Sequence, residues 1–505
     1  MKKLLACILA AACVLAADPP KPKLILAIVI DQFRYDYLTR FRSEYHAGFE
    51  RLLTKGAVFT NARYEHFPTV TAIGHSTFLT GATPSLSGII GNEWYDREER
   101  KTVTSVSDAT TKLLGGNGDA AGSSPRRLLV DTVGDELKMS NGNQSKVIGV
   151  SLKDRAAILP AGHMANGAFW FDSNSGNFVS STFYFQQMPQ WAKDFDAAHP
   201  ADKYSGAKFV SKTMPPAGHA LYAAIDASPF GNELIEGFAE AALSGERLGQ
   251  RGVTDILTVS FSSNDYVGHA TGPDSPEVHE ISVATDKLLD KLLQAVDRRV
   301  GLANVLVVLT ADHGVAPLPE VNQSRKMPGG RILPGVVGKV VQAALVKAYG
   351  EGDWIANSSD SSIYLNLDLI ASKKLLRADV DRTAAEAALT VTHVFRVYTR
   401  EQLMSGNAME QQVARRVMNG FYVRRSPDVE VLLEPYWIFS RSGATHGATF
   451  SYDSHVPVIF MGAGIKPGRY DNTIMVNDIA PTLATILDVE TPSGSVGRVL
   501  NEMFQ

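Results

Sequence analysis

The chain reads as an α/β protein with a mostly parallel sheet flanked by helices. Two observations predict this. Residues 24–30, 146–152, 255–261 and 304–310 are apolar runs rich in β-branched residues, the pattern of strands buried on both faces. Each run also ends in acids, imidazoles or cations, at the edge where open α/β sheets place their ligands.

The bulk properties agree. The chain has 505 residues, 45% hydrophobic and 20% charged, enough for a large core. Its net charge is -4 with no Lys/Arg block, so neither nucleic acid nor an anionic membrane is an implied partner. Met1-Lys2-Lys3, an apolar run over 4–17 and Asp18-Pro19-Pro20 make a signal peptide over residues 1–17. The run is too short to span a bilayer comfortably. Export to the periplasm or medium is expected, without stable membrane association after cleavage. Cys7 and Cys13 both lie in this leader, so any metal in the mature chain takes oxygen and nitrogen ligands.

In order along the chain, the 24–30 strand runs into Asp31, and 35–53 is predicted helical. Next comes His66-Phe67-Pro68-Thr69-Val70-Thr71-Ala72-Ile73-Gly74-His75. Pro68 disfavours helix at Phe67, and a short helix over 72–79 follows with Thr71 at or near its N-cap. A hydroxyl there faces free backbone N–H groups and the positive end of the helix dipole, which favours an alkoxide and binds phosphate. Asn92, between Gly91 and Glu93, suits a turn and offers an amide donor to a phosphoryl oxygen. Residues 100–126, rich in Gly, Ser and Thr, read as an exposed loop. The 146–152 strand leads into Lys153-Asp154-Arg155, whose two cations can reach one anion from the same side.

A hairpin over 169–184 with a polar turn marks 160–230 as an inserted cap. The 255–261 strand precedes Asp265 and His269, four apart and able to converge on one ion from a helical turn. A helix is predicted over 278–296. The 304–310 strand ends in Ala311-Asp312-His313-Gly314. Residues 318–440 read as a second, α+β insertion with helices over 338–349 and 410–419 and strands over 362–367 and 429–433. His446 lies in a loop beside Gly447, with His455 as its rival just before a last core strand over 456–461. A helix around Pro481 closes the core.

Asp31, Asp265, His269, Asp312, His313 and His446 form a sulfur-free ligand set suited to open catalytic zinc sites, and numerous enough for two ions. Two such ions stabilise both the attacking and leaving oxygens of phosphoryl transfer.

Asp31 in Val-Ile-Asp-Gln, Thr71 in Thr-Ala-Ile-Gly-His, Asn92 in Gly-Ile-Ile-Gly-Asn, Asp265 and His269 in Asn-Asp-Tyr-Val-Gly-His, and Asp312-His313-Gly314 together resemble the alkaline phosphatase superfamily. The Ser-Leu-Lys-Asp-Arg element resembles its secreted bacterial members with a threonine nucleophile (the PafA and PhoK type), relatives of the type I phosphodiesterases and nucleotide pyrophosphatases. The resemblance implies a single alkaline-phosphatase-like catalytic domain over 18–505 that hydrolyses small-molecule phosphate monoesters. It implies two Zn2+ ions, one on Asp31, Thr71, Asp312 and His313, the other on Asp265, His269 and His446. It makes Thr71 the nucleophile, forming a phosphothreonine, and gives Asn92, Lys153 and Arg155 the non-bridging phosphoryl oxygens. The alternative on the same scaffold is a phosphodiesterase or nucleotide pyrophosphatase.

Overall fold

The structure is a computed structural model that describes residues 21–406 and 412–504. The leader, Cys7, Cys13 and Glu410 lie outside the described residues.

Among the described residues, eleven strands form one sheet: β1 (Leu24–Ile30), β2 (Ala57–Arg63), β3 (Ser107–Leu114), β4 (Ala121–Ser123), β5 (Val147–Ser151), β6 (Gly167–Asp172), β7 (Asn177–Ser181), β8 (Asp255–Phe261), β9 (Val305–Thr310), β10 (His455–Met461) and β11 (Gly468–Met475). Their spatial order is β11-β2-β10-β9-β1-β8-β5-β6-β7-β3-β4. The central five, β9-β1-β8-β5-β6, are parallel, and β10 runs antiparallel between β9 and β2. β1, β5, β8 and β9 are buried at every residue, as their continuous apolar runs require.

Helices α1 (Gly48–Lys55), α2 (Thr71–Thr80), α3 (Asp154–Ala161), α4 (Pro229–Gly245), α5 (Ser263–Thr271) and α6 (Pro276–Val300) connect these strands. α2 packs beside α3, and α4 beside α6. Residues 318–440 carry a separate four-stranded sheet ordered Ile355–Ser358, Ser362–Leu365, Val429–Leu433, Val394–Thr399, together with α7 (Gln412–Gly420) and other helices.

The structure departs from the sequence expectations in four places. The helix expected over 35–53 is broken: Asp36–Arg40 and α1 are separate, joined by a 3-10 turn at Arg42–Glu44. The break is held from a distance, because Asp286 on α6 accepts the backbone N–H groups of His46, Ala47 and Phe49. The 169–184 hairpin forms as expected, as β6 and β7, but it lies in the central sheet, pairing with β5 and β3, and not in a cap apart from it. Part of the segment expected as an exposed loop is β3 and β4, which pair along that edge. Strand β10 is not the last: β11 follows it and pairs with β2.

Candidate active site

The site lies beyond the carboxyl ends of the parallel strands. Asp31 follows β1 directly and Asp312-His313 follow β9, with β1 and β9 adjacent in register. Asp265 and His269 stand four apart on α5, just after β8. Lys153 follows β5 and precedes α3.

Thr71 is the first residue of α2, with Val70 at the N-cap position. The capping oxygen comes from elsewhere: Asn92 Oδ1 accepts the Ala72 N–H at 2.8 Å. Asn92 thereby braces the residue after Thr71 while its amide nitrogen remains available as a donor. Gly74 lets α2 lie directly against the Asp312 main chain, because a Cβ there would sit 2.2 Å from the Asp312 carbonyl oxygen. That close approach brings the Thr71 hydroxyl, 1% exposed, to 3.4 Å from His313 Nε2.

Two groups of ligand atoms converge here, Asp31 with Asp312 and His313, and Asp265 with His269 and His446; within each group the atoms all lie within 4.8 Å of one another. His313 Nε2 is 3.6 Å from Asp31 Oδ1 and 3.3 Å from Asp312 Oδ2. Asp265 Oδ1 is 3.2 Å from His269 Nε2 and 3.7 Å from His446 Nε2. Ligands about 2.1 Å from one tetrahedral ion lie about 3.4 Å apart, so both groups fit a divalent metal. The imidazoles are oriented for it. Nδ1 of His269, His446 and His313 donates to the carbonyl of Ala444, Thr69 and Gly314 respectively, leaving each Nε2 as the lone-pair nitrogen. Asp31 Oδ1 and Asp312 Oδ2 are buried with no hydrogen-bond donor, as carboxylate oxygens kept for a cation are.

His455 is not part of either group. Its Nε2 donates to the Thr60 carbonyl and its ring stacks on Tyr35, centroids 4.6 Å apart.

The electrostatics follow from burial and crowding. Burial, Asp312 and Asp265 push the Asp31 carboxyl up to about 7, against the pull of Lys153. Burial would also raise Asp265, but Lys153 and His269 outweigh it and hold that carboxylate well below its usual range. Lys153 Nζ is 2.5 Å from Asp31 Oδ2 and 2.6 Å from Asp265 Oδ2, bridging the two groups. Burial disfavours its charge, yet these carboxylates raise the ammonium above the ordinary lysine range. Burial pushes His313 down to about 4 and, with His313 and His269 nearby, His446 well below its ordinary value. Arg155 sits in the first turn of α3; the carboxylate it approaches is Asp154, at 4.0 Å, and no ion pair joins it to either ligand group.

Sequence reasoning missed several supporting residues. His75, one turn along α2, places Nδ1 2.9 Å from the Thr71 carbonyl and Nε2 2.8 Å from Ser260 Oγ. The Tyr64 hydroxyl donates to the Ala311 carbonyl at 2.9 Å. The Asp453 carboxylate accepts the Ala448 N–H at 2.7 Å, tethering the His446 loop. The i,i+4 spacing of His75 on Thr71 was a readable signal; the other contacts join segments far apart in the chain.

A buried hydroxyl flanked by two sets of side chains that could hold a metal, at the strand ends of an α/β sheet, together with the structural match below, makes the chain a hydrolase of the alkaline phosphatase superfamily. The comparisons take this to a family. The family model described as type I phosphodiesterase / nucleotide pyrophosphatase matches residues 25–453, and the chain belongs to that family. It is 36% identical to the alkaline phosphatase PafA of Elizabethkingia meningoseptica, across 96% of this chain and 95% of that one. It is 37% identical to the alkaline phosphatase PhoV of Synechococcus elongatus, across 96% and 93%. The crystal structure of wild-type PafA superposes with a TM-score of 0.90, covering 96% of this chain and 99% of that one.

Proposed function

We infer that this chain is an alkaline phosphatase that hydrolyses phosphate monoesters through a phosphothreonine on Thr71. The observation that carries the reading is the convergence of two ligand groups on one buried threonine hydroxyl. Asp31, Asp312 and His313 with Thr71 would hold one zinc ion, and Asp265, His269 and His446 the other; zinc there lowers the pKa of a bound hydroxyl or water and offsets charge on the ester oxygens.

The chain's own residues do the rest. Thr71 Oγ loses its proton to solvent and attacks phosphorus, the bond to the ester oxygen breaks as the phosphothreonine forms, and the departing alkoxide takes up a proton and leaves as the alcohol. Water then attacks the same phosphorus, returns the threonine hydroxyl and releases inorganic phosphate. Asn92, anchored through Oδ1, donates from its amide nitrogen to a non-bridging oxygen. Lys153, held charged between carboxylates, and Arg155 supply two cations to the phosphoryl group. Folding of residues 18–505 as one catalytic domain, export to the periplasm or medium, and small phosphomonoesters as partners complete the proposal. No helix of the described residues is long and apolar enough to cross a membrane.

The second reading is a phosphodiesterase, the activity named in the family description. A monoester dianion carries more charge on its non-bridging oxygens than a diester, and the Lys153/Arg155 pair matches the monoester. The test compares an aryl phosphate with a bis-aryl phosphate in the parent and in Lys153→Ala/Arg155→Ala, alongside metal analysis. The monoester rate of the variant is expected to fall about 10²-fold or more, with a much smaller loss on the diester. Equal losses, or a parent faster on the diester, overturn the monoester reading.

A further inference from the structure

Gln32 occupies a position that a glutamine should avoid. Its φ is 60°, in the left-handed region that glycine takes readily and a longer side chain adopts only with strain. It is 2% exposed and follows Asp31 at the end of β1, the strand between β8 and β9. A glycine would make the same turn. The presence of a glutamine therefore points to a use for the side chain.

The contacts show that use. The Gln32 backbone N–H donates to Asp312 Oδ1 at 3.0 Å, and the His313 N–H donates to the same oxygen at 2.9 Å. Asp312 Oδ1 is thus held by two amides, while Oδ2 has no donor. From the opposite side, Gln32 Nε2 donates to Asp265 Oδ1 at 2.6 Å. That oxygen is the one nearest His269 and His446, and a second lone pair remains on it for an ion. α5 makes room for the amide at Gly268: a Cβ there would lie 1.8 Å from Gln32 Oε1.

We propose that Gln32 is a positioning residue that spans the two ligand groups. Its main chain orients Asp312 of one, and its side chain orients Asp265 of the other. It thereby fixes how the two ligand groups stand relative to each other. The role rests on the two-ion reading given above. In chemical terms, Gln32 is a neutral donor to a ligating carboxylate: it fixes the oxygen without competing for the ion, as a lysine or arginine would by charge.

Two variants separate this role from packing. Gln32→Gly keeps the backbone donor to Asp312, relaxes the turn and removes only the donor to Asp265. Gln32→Glu keeps the shape but turns an acceptor toward a carboxylate. The measurement is elemental analysis of the purified, zinc-loaded protein after dialysis against graded chelator, with phosphatase rate followed as zinc is added back. In both variants one of two zinc equivalents should leave at about 10- to 100-fold lower chelator than in the parent, with the other unchanged. Excess zinc should restore the rate of Gln32→Gly. Variants that release zinc as the parent does, or a Gln32→Gly that loosens both equivalents alike, overturn the proposal while leaving two ions in place. A parent holding fewer than two equivalents overturns the two-ion reading, and the proposal with it.

Discussion

His446 and His455 show how little a residue type decides without its second bond. Both are half-buried histidines in one short segment, and both use a ring nitrogen on a backbone carbonyl. His446 spends Nδ1, so Nε2 faces Asp265; His455 spends Nε2 and lies flat on Tyr35. His446→Ala should therefore remove one metal equivalent and most activity, whereas His455→Ala should leave metal content unchanged; elemental analysis and an aryl phosphate assay read both. His66 is a different case. It is fully buried, neither ring nitrogen has a partner, and burial with Arg416 nearby pushes it down to about 3. As pH falls, the unfolded chain takes up this proton near 6.5. The folded chain resists it to about 3, so stability is lost progressively across that window. His66→Leu should flatten the acid limb of a urea-unfolding series between pH 6.5 and 3, by an amount on the order of a few kcal/mol.

At the scale of elements, α7 gives the 318–440 segment a connection to the site that the sequence did not reveal. Arg416 is 7% exposed and makes a bidentate ion pair with Glu65, at 2.6 and 3.0 Å, on the approach to Thr71. Its remaining nitrogen donates to the Thr449 carbonyl, just beyond His446. The Arg416 carbonyl accepts the Phe67 N–H at 3.0 Å, and Asn419 donates to the Glu65 carbonyl at 2.6 Å. One helix thus holds the segment leading to Thr71 and the loop carrying His446 together. Arg416→Ala should lower unfolding free energy by about 3 kcal/mol or more, since it leaves Glu65 half-buried without its partner. It should also reduce kcat more than it raises KM, because it disturbs the alignment of Thr71; denaturant titration and steady-state kinetics check the two. The sequence could predict the buried strands because β1, β5, β8 and β9 are continuous apolar runs whose neighbours do not change the reading. It could not predict β2 or β11. β2 turns polar at Thr60, Asn61 and Arg63, and β11 is a largely exposed edge strand. β2 is a strand because of β10, which lies some four hundred residues along the chain, and β11 because of β2, which is similarly distant from it in sequence. The break in the helix expected over 35–53 has the same origin in Asp286. Local pattern reports what a segment buries, and it is silent about a cap or a partner strand supplied from far along the chain.

Across the molecule, three carboxylates from three strand ends, Asp31, Asp312 and Asp265, are crowded into one buried volume with Lys153 between two of them. Their grouping was readable because the ends of parallel strands share one edge of a sheet. Their mutual repulsion is a folding liability that cations held there would offset. Chelation should lower Tm, and added zinc should restore it, with each site contributing about 4 kcal/mol when metal is a thousandfold above its Kd. A thermal shift indifferent to chelator would contradict the metal assignment.

The order in which the two ligand groups are completed has a consequence for biosynthesis. A chain made from its amino end possesses Asp31, Asp312 and His313 once residue 313 has been added. The other group waits for His446, and His269 also waits for the Ala444 carbonyl that orients it. All of the 318–440 segment, α7 included, is translated between those two moments. An unfinished chain therefore carries the residues of one group and only part of the other, and the second group is whole only when the final stretch arrives.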